Sequence, residues 1–254
     1  MRYKPVRRVS LARALSKLGY CSRSRARELI RQGRVALNGR WRRDARTPVN
    51  LAADHIAVDG KRVSPEKPLY LVLNKPRGVV TTAADEKGRQ TVYAFLDPDS
   101  PFVTPVGRLD KASEGLLILT NDSEWSARIL APETHLDKTY HVQIGRVADV
   151  TLLEALKAGV STQEGDWLRA KHARILRAGK SNTWLEVVLD EGKNRHIRRM
   201  FDQLGVEVLR LVRVAIGPQT LGQLAKGAVR QLTDGEKQGL DRAMDRARRE
   251  ALLR

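Results

Sequence analysis

The stretch Gly107–Asp122, GRLDKASEGLLILTND, joins a charged turn to an apolar strand. Gly107 predicts the turn, and the apolar run Leu116–Leu119 predicts a buried strand behind it. The pattern therefore sets Arg108 and Asp110 on a loop that a rigid strand supports. An aspartate in a turn is usually a helix cap or a surface charge, so a chemical role for Asp110 depends on the segments around it.

Three further segments combine charged residues with turn or strand signals. They are LNKPRGVVTT at 73–82, KTYHVQI at 138–144 and EGKNRHIRRM at 191–200. The first follows an apolar strand and carries Lys75, the second sets Tyr140 on a strand, and the third is a glycine turn that leads into an Arg-rich helix. Four such segments in one chain favour a reactive site over isolated surface charges.

The positive charge of the chain is concentrated at one end. Forty-seven Lys and Arg residues outnumber 29 Asp and Glu residues, which gives a net charge of +18 over 254 residues. Residues 1–66 hold 17 basic and 5 acidic side chains, two thirds of the excess. Clustered Arg and Lys release condensed counterions when they bind a polyanion, so the pattern favours a nucleic-acid partner over a solvated basic face or a membrane-surface helix.

The composition argues against several other classes of protein. The apolar stretches are too short to span a bilayer, and the first residues, MRYKPVRRVSLARAL, lack the apolar block of a secretion signal. The single cysteine, Cys21, allows no internal disulfide and no multi-cysteine metal site. The five histidines show no metal-ligand spacing, and no Walker-type phosphate loop is present. These features predict a cytoplasmic protein and give no sign of a metal site or a Walker-type nucleotide site.

The basic N-terminal region predicts two short helices and two strands. Ser10 caps a first helix that Gly19 ends, and Ser22 or Ser24 caps a second helix that Gly33 ends. The predicted strands are 34–38, which meets the turn Asn38-Gly39, and Ile56–Val58, which meets the turn Asp59-Gly60.

This region, roughly residues 9–60, resembles the S4 RNA-binding module. The resemblance rests on the run LARALSKLGYCSRSRARELIRQGRVALNG and the later HIAVDG turn. DNA-binding helix–turn–helix proteins share its first part, whereas the VALNG strand and turn favour S4. Arg23, Arg27 and Arg31 lie four residues apart on one face of the second helix, with a spacing that suits successive phosphates, and Arg34 follows as a further RNA-binding candidate.

Residues 64–68, SPEKP, have the composition of a linker, and the character of the chain changes after them. Strands are predicted at 69–73, 140–144, 183–189 and 206–216, and helices at 125–130, 152–158 and 194–204. Because no regular β-α-β order appears, the sequence predicts an α+β fold with a mainly antiparallel mixed sheet. The predicted domains are 1–63, a linker at 64–68, a body at 69–232, and a charged helical tail at 233–254 that we expect to be solvated.

The order of an S4 module, KPxG, GRLD, KTY and RRM resembles the pseudouridine synthases that act on ribosomal RNA. The branch concerned contains the small-subunit synthase A and the large-subunit synthases B, E and F. The resemblance extends to about residue 232, and its most specific part is GRLD…GLLxLTND. Ser123 and His196 stand where glycine and glutamine are frequent in the family, and these departures bear on substrate choice only.

The resemblance implies catalytic roles for three residues. Asp110 is expected to attack the uridine, at ribose C1′ or by a glycal route. Arg198 is expected to pair with that carboxylate, and Tyr140 to stack on the flipped base. These roles suit the chemistry, because a neighbouring guanidinium keeps an aspartate ionised, and a base that detaches and turns needs a flat partner.

The resemblance also implies residues that bind the substrate. Leu211 is expected to support the base, Lys75 and Arg108 to lie near the phosphates, and Arg199 to contact the substrate. The expected partner is ribosomal RNA or an assembling ribosomal subunit, with no membrane and no small-molecule cofactor. No repeat or zipper supports an oligomer, so the expected state is a monomer.

Two other functions fit part of the sequence. A non-catalytic RNA-binding or ribosome-assembly protein could keep the same scaffold, but it has no reason to keep a complete GRLD segment and an Arg-rich helix. A DNA-binding regulator could use the first two helices as a helix–turn–helix. That regulator would prefer duplex DNA to ribosomal RNA at the same salt concentration.

Overall fold

The computed structural model describes residues 8–134 and 136–252. The chain divides into two units: the first contains the described residues up to Tyr70 with Asp97–Thr104 and Leu119–Ser123, and the second contains Leu71–Leu96, Pro105–Ile118 and the described residues from Glu124 onward. The ends of the predicted S4 region and tail, residues 1–7 and 253–254, lie outside the described residues.

The first unit contains short helices and short strands. They are β1 (Val9–Ser10), α1 (Leu11–Lys17), α2 (Arg23–Arg31), β2 (Val35–Leu37), β3 (Arg40–Arg42), β4 (Pro48–Val49), β5 (Ile56–Val58) and β6 (Lys61–Arg62). The strands form an antiparallel sheet of order β3-β2-β5-β6 and a separate pair, β1 with β4. Apolar side chains of both helices and the sheet share one core that includes Leu15, Ile30 and Val58.

Caps and turns of the first unit follow the sequence. Ser10 Oγ and Ser22 Oγ each accept a hydrogen bond from the backbone N–H three residues later, at the starts of α1 and α2. Both residues of Asn38-Gly39 and of Asp59-Gly60 have positive φ, which suits the tight hairpins β2–β3 and β5–β6. The predicted N-caps at Ser10 and Ser22 are therefore confirmed.

Residues 63–69, which include the predicted linker, have neither helix nor strand. The Asn121 side chain bridges the end of this segment: its Oδ1 accepts a hydrogen bond from Leu69 N–H at 2.8 Å, and its Nδ2 donates to Lys67 O at 2.9 Å. The Asn121 side chain therefore satisfies the N–H of Leu69 and the carbonyl of Lys67, which lie outside any strand.

Most of the second unit is built on a sheet that has nine strands among the described residues. The elements are β7 (Tyr70–Lys75), a 3-10 helix (Val92–Phe95), β8 (Thr104–Pro105), β9 (Glu114–Thr120), α3 (Ser123–Leu130), a second 3-10 helix (Pro132–Thr134), β10 (Lys138–Ile144), α4 (Val150–Ala158), β11 (Val160–Ser161), β12 (Trp167–Leu168), β13 (His172–Ala178), β14 (Thr183–Leu189), α5 (His196–Gln203), β15 (Val208–Ile216), β16 (Gln219–Thr220), β17 (Val229–Gln231) and α6 (Asp234–Leu252). The sheet has the order β13-β14-β10-β15-β9-β7-β17, with β16 on β15 and β8 on β9, while β11 pairs with β12 outside it.

Pairing in this sheet is mainly antiparallel, which confirms the predicted α+β class. β10 is antiparallel to both β14 and β15, with Tyr140 opposite Val187 on one side and Arg213 on the other. One pair, β9 with β15, is parallel, with Gly115 opposite Arg213. Phe201 of α5 shares one core with Val187 and other side chains of these strands and of α4.

The C-terminal helix α6 is not the solvated tail that the sequence predicted. Leu240 and Met244 are buried, and Trp125 Nε1 of α3 donates a hydrogen bond to Asp241 Oδ1 at 2.8 Å. The charged residues of α6 leave an apolar stripe between them, and that stripe packs inward. None of the described helices has the length and apolarity needed to cross a membrane.

Gly115 allows β9 and β15 to approach closely at their parallel pair. Its φ is +101°, and a Cβ at this position would lie 2.3 Å from Arg213 O and 2.9 Å from Arg213 N. A side chain here therefore meets rigid backbone and an unfavourable φ at the same time.

We expect Gly115→Ala to lower the free energy of unfolding by about 3 kcal/mol or more, because a clash with backbone adds to the cost of a positive φ. Gly88→Ala is the control, since Gly88 has a φ of +64° with open space around its Cβ position; its cost should be about 1 kcal/mol. Urea unfolding followed by tryptophan fluorescence measures both. Equal losses would contradict the close approach.

Candidate active site

A cleft of about 490 Å³ lies in the second unit. Its walls are the loop 107–113, here named the Asp110 loop, the strands β10 and β15, and the start of α5. The cleft brings together five of the residues predicted from sequence, namely Arg108, Asp110, Tyr140, Arg198 and Leu211.

Hydrogen bonds from the segment that follows β7 hold the Asp110 loop. Gly78 N–H donates to Lys111 O at 2.7 Å, and Thr81 Oγ1 donates to Leu109 O at 2.7 Å. The KPRGVVTT and GRLD segments, which are well separated in sequence, therefore form one structure around the half-buried Asp110.

Lys75 lies fully buried against this loop, and not near a phosphate as the sequence predicted. Its Nζ donates hydrogen bonds to Pro76 O at 3.1 Å, Asp110 O at 3.1 Å and Ser113 O at 2.9 Å. An ammonium has three donors, and here each has a carbonyl acceptor. Burial lowers the pKa of Lys75 to about 8, although the Asp110 carboxylate opposes that shift. The sequence placed Lys75 near the phosphates as a positioning residue; its three donors instead fix the backbone of the loop, which leaves none for a phosphate.

Arg198 lines the cleft, but its donors are used differently from the prediction. Its Nη atoms donate to Ala112 O at 3.1 Å and Val208 O at 3.3 Å, and among the described residues no ion pair joins it to Asp110. Burial and the nearby Arg195 lower the pKa of Arg198, and the Asp110 carboxylate raises it. The charges of Arg198 and Asp110 therefore interact without a direct ion pair. The ion pair expected from the sequence is wrong, because the Arg198 guanidinium donates to two backbone carbonyls instead.

The floor of the cleft comes from neighbouring strands. Tyr140 of β10 is half-buried and lies opposite Arg213 of β15. Leu211 is buried and precedes Arg213 by two residues, so both share one face of the strand. An aromatic ring beside an aliphatic side chain suits a flat heterocycle.

Arg199 is not among the residues that line the cleft. Its guanidinium pairs with Asp166 at 2.6 Å and with Glu164, and it donates to Thr162 Oγ1 at 3.0 Å. These partners belong to the hairpin of β11 and β12 and its turn. Successive residues of a helix point in directions about 100° apart, so Arg198 and Arg199 cannot share one role. The predicted substrate contact of Arg199 is therefore wrong.

Arg108 is exposed at the rim of the cleft. It also lines a second groove of about 420 Å³, together with Thr81, Lys87 and Lys111. Within the described part of the chain, Arg108 has no hydrogen-bond or ion-pair partner. Its guanidinium is therefore available to an anionic ligand.

Lys138 and Arg213 also line the cleft, although neither was proposed as a site residue from sequence. The signal that identifies them is the alternation of side chains along a strand. Lys138 shares a face of β10 with Tyr140, and Arg213 shares a face of β15 with Leu211.

The buried Glu114 of β9, just after the Asp110 loop, is the centre of an ion-pair cluster. The Glu114 carboxylate pairs with Arg210 at 2.7 Å and Lys226 at 2.6 Å. The Arg210 hydrogen bond, opposed by burial, helps to lower the pKa of Glu114 to about 2. Both cations are thereby committed to a structural carboxylate.

The predicted RNA-binding arginines of the first unit differ among themselves. Arg23, Arg27 and Arg31 are exposed along α2. Arg34, by contrast, forms a bidentate ion pair with Asp59, at 2.8 Å and 2.5 Å. The predicted role of Arg34 in RNA binding is therefore weakened, because its guanidinium already donates two hydrogen bonds to the Asp59 carboxylate.

Comparison with known proteins defines the class of the chain. The RNA pseudouridylate synthase family matches residues 69–203, and the S4 domain matches residues 9–54. A crystal structure of a pseudouridylate synthase superposes with a TM-score of 0.64 at 30% identity, covering 91% of this chain and 99% of that one. The class is thus an RNA-modifying enzyme with an S4 domain at its N-terminal end.

Two relatives match almost the whole chain. An uncharacterized RNA pseudouridine synthase of Aquifex aeolicus is 38% identical over 237 residues, 93% of this chain and 95% of the relative. The ribosomal large subunit pseudouridine synthase B of Bacillus subtilis is 36% identical over 228 residues, 89% of this chain and 93% of the relative. The chain belongs to the RNA pseudouridylate synthase family, and it is an isomerase that converts uridine in RNA to pseudouridine.

Proposed function

We propose that this enzyme isomerises a specific uridine of ribosomal RNA and that Asp110 is its catalytic carboxylate. The ribosomal substrate is supported by the 36% identity to the large-subunit synthase B. The assignment of Asp110 rests on one observation: its loop, fixed by Lys75, forms the wall of a cleft whose floor contains Tyr140 and Leu211.

The target uridine leaves its stack and enters this cleft, at a cost of a few kcal/mol, on the order of that for other flipped bases. The ring of Tyr140 stacks on the uracil, and Leu211 supports it from the floor. Arg108, at the rim, contacts a phosphate of the flipped nucleotide. We assign the exposed Arg108 to the phosphate and the more buried Tyr140 and Leu211 to the base, because a phosphate remains near water while the base is enclosed.

In the proposed reaction the bond between ribose C1′ and uracil N1 breaks, and C5 of the same uracil bonds to C1′. The Asp110 carboxylate attacks C1′, or it removes a ribose proton so that a glycal forms. Both routes use the Asp110 carboxylate, whose charge opposes the lowering of the pKa of Lys75 and of Arg198 by burial. The reaction conserves atoms and electrons, so the proposal includes no cofactor.

The proposal assigns RNA binding to residues 1–63 and catalysis to residues 69–232. Arg23, Arg27 and Arg31 bind successive phosphates without reading sequence, which suits their exposure on one helix. The enzyme acts as a monomer in the cytoplasm, on ribosomal RNA or an assembling subunit. The first unit thus supplies salt-dependent affinity, and the cleft selects the uridine.

Asp110→Asn should reduce turnover at least about a thousandfold, because an amide neither attacks carbon nor accepts the ribose proton. RNA affinity should stay within about threefold of wild type, since one neutralised charge of the cleft leaves the phosphate contacts intact. The assay is carbodiimide labelling with primer extension on ribosomal RNA from cells lacking the gene. Asp99→Asn, an exposed loop change outside the cleft, is the control. Turnover by Asp110→Asn would refute the assignment.

Replacing Arg23, Arg27 and Arg31 together by Gln should weaken RNA binding and lower the slope of log affinity against log salt by about two to three, since each lost phosphate contact removes about 0.7 to 0.9. The control replaces three exposed arginines of α6, Arg242, Arg246 and Arg249, by Gln and removes the same charge. Filter binding at several salt concentrations measures both slopes. Identical slopes for the two triple variants would contradict a specific role for α2.

A further inference from the structure

The cleft holds far more positive than negative charge. Its lining includes Arg108, Lys138, Lys193, Arg195, Arg198 and Arg213, against one carboxylate, Asp110. Arg108, Lys193 and Arg195 are exposed at the rim, where the phosphates of an RNA strand pass. The cations that lie deeper therefore require a different explanation.

Arg213 is the most deeply buried of these cations, with 6% of its surface exposed. Its Nε donates to Leu116 O at 2.8 Å, which fixes the guanidinium against β9. Its Nη2 is buried without a hydrogen-bond partner among the described residues. An unpaired buried donor is costly, so its retention indicates a ligand acceptor.

Lys138 lies on the same floor. Within residues 8–134 and 136–252 its ammonium has no hydrogen-bond or ion-pair partner. Burial and the neighbouring Arg213 lower the pKa of Lys138, and Asp137 and Asp190 oppose that shift. Asp137 is itself paired with Lys171 at 2.8 Å, so it leaves the Lys138 charge available to the cleft.

The two cations flank the residues proposed to hold the base. Arg213 lies directly across the strand pair from Tyr140, and Lys138 precedes Tyr140 by two residues on the same face. Leu211 completes this group from β15. The positive charge is therefore next to the uracil, on the side away from the exposed rim.

We propose that Arg213 and Lys138 are catalytic residues that stabilise the negative charge of the detached uracil through its carbonyl oxygens. This inference rests on the proposed binding of the base between Tyr140 and Leu211. When the C1′–N1 bond breaks, its electron pair stays on N1 and spreads to O2 and O4. After the ring turns, C5 donates an electron pair to C1′ while the C1′–Asp110 bond breaks. On the glycal route, C2′ instead takes back the proton that Asp110 removed as C5 bonds to C1′. On both routes C5 then loses its proton and N1 gains one. The uracil is thus anionic only between these two steps, and fixed cations there lower the barrier.

A phosphate is the other anion that two cations could bind, and burial argues against it. A phosphodiester backbone stays solvated at the rim, and Arg108 is exposed there without a partner in the described chain. The buried Nη2 of Arg213 instead suits a carbonyl oxygen of the uracil ring, which enters the cleft with the base.

The test compares Lys138→Gln, Lys138→Arg and Arg213→Lys with wild type and with Arg108→Gln. The substrate is a transcript of the ribosomal RNA segment that wild type modifies, with enzyme in excess. We expect Lys138→Gln and Arg213→Lys to slow the single-turnover rate by about a hundredfold, as loss of one charge-stabilising donor does elsewhere. Lys138→Arg should recover most of the rate, and RNA affinity should stay within about threefold with an unchanged salt slope.

Arg108→Gln supplies the contrasting pattern, with weaker binding and a salt slope lower by about one. If Lys138→Gln shows that pattern, and saturating enzyme restores its rate, the two cations bind phosphate and the inference is wrong. Rates within threefold of wild type for both Lys138→Gln and Arg213→Lys also overturn it. Thermal melting identifies a variant that fails to fold. If wild type modifies no ribosomal RNA segment, the proposed ribosomal substrate is wrong, and the same variants are compared on the RNA that wild type does modify.

Discussion

The Lys75 ammonium, fully buried, donates to the backbone oxygens of Pro76, Asp110 and Ser113. A buried charge is costly unless each donor is satisfied, so the three carbonyls and the lysine hold one another in a single arrangement. The Asp110 side chain projects from the middle of that arrangement. The backbone that carries this side chain is held before any RNA binds, as the proposed nucleophile or base requires.

The parallel pair of β9 and β15 connects this loop to the rest of the cleft. Gly115, two residues after Ser113, lies against the backbone of Arg213, so the strand that follows Asp110 and the strand that carries Leu211 approach closely. Tyr140 on β10 is the next neighbour in the sheet. Tyr140, Arg213 and the segment that carries Asp110 are therefore connected through one set of paired strands.

Local signals in the sequence predicted local structure well. Ser10 and Ser22 cap their helices because a short polar side chain satisfies free N–H groups wherever a helix starts. The partners of long side chains could not be predicted in this way. Arg198 donates to a backbone carbonyl of the Asp110 loop, which is far from it in sequence. Arg199 pairs with Asp166, 33 residues earlier, and Lys75 is buried. Each depends on contacts between distant segments, and so does the packing of α6.

If Lys75 fixes the Asp110 loop for catalysis, Lys75→Met should slow the reaction and leave RNA binding intact. Methionine keeps the length and apolar stem but donates no hydrogen bond. Single-turnover rates, RNA affinity and amide hydrogen exchange across residues 108–113 should be measured on one preparation. We expect a rate lower by about a hundredfold, faster exchange in the loop, and RNA affinity within about threefold of wild type. A folded Lys75→Met enzyme with the wild-type rate would contradict it.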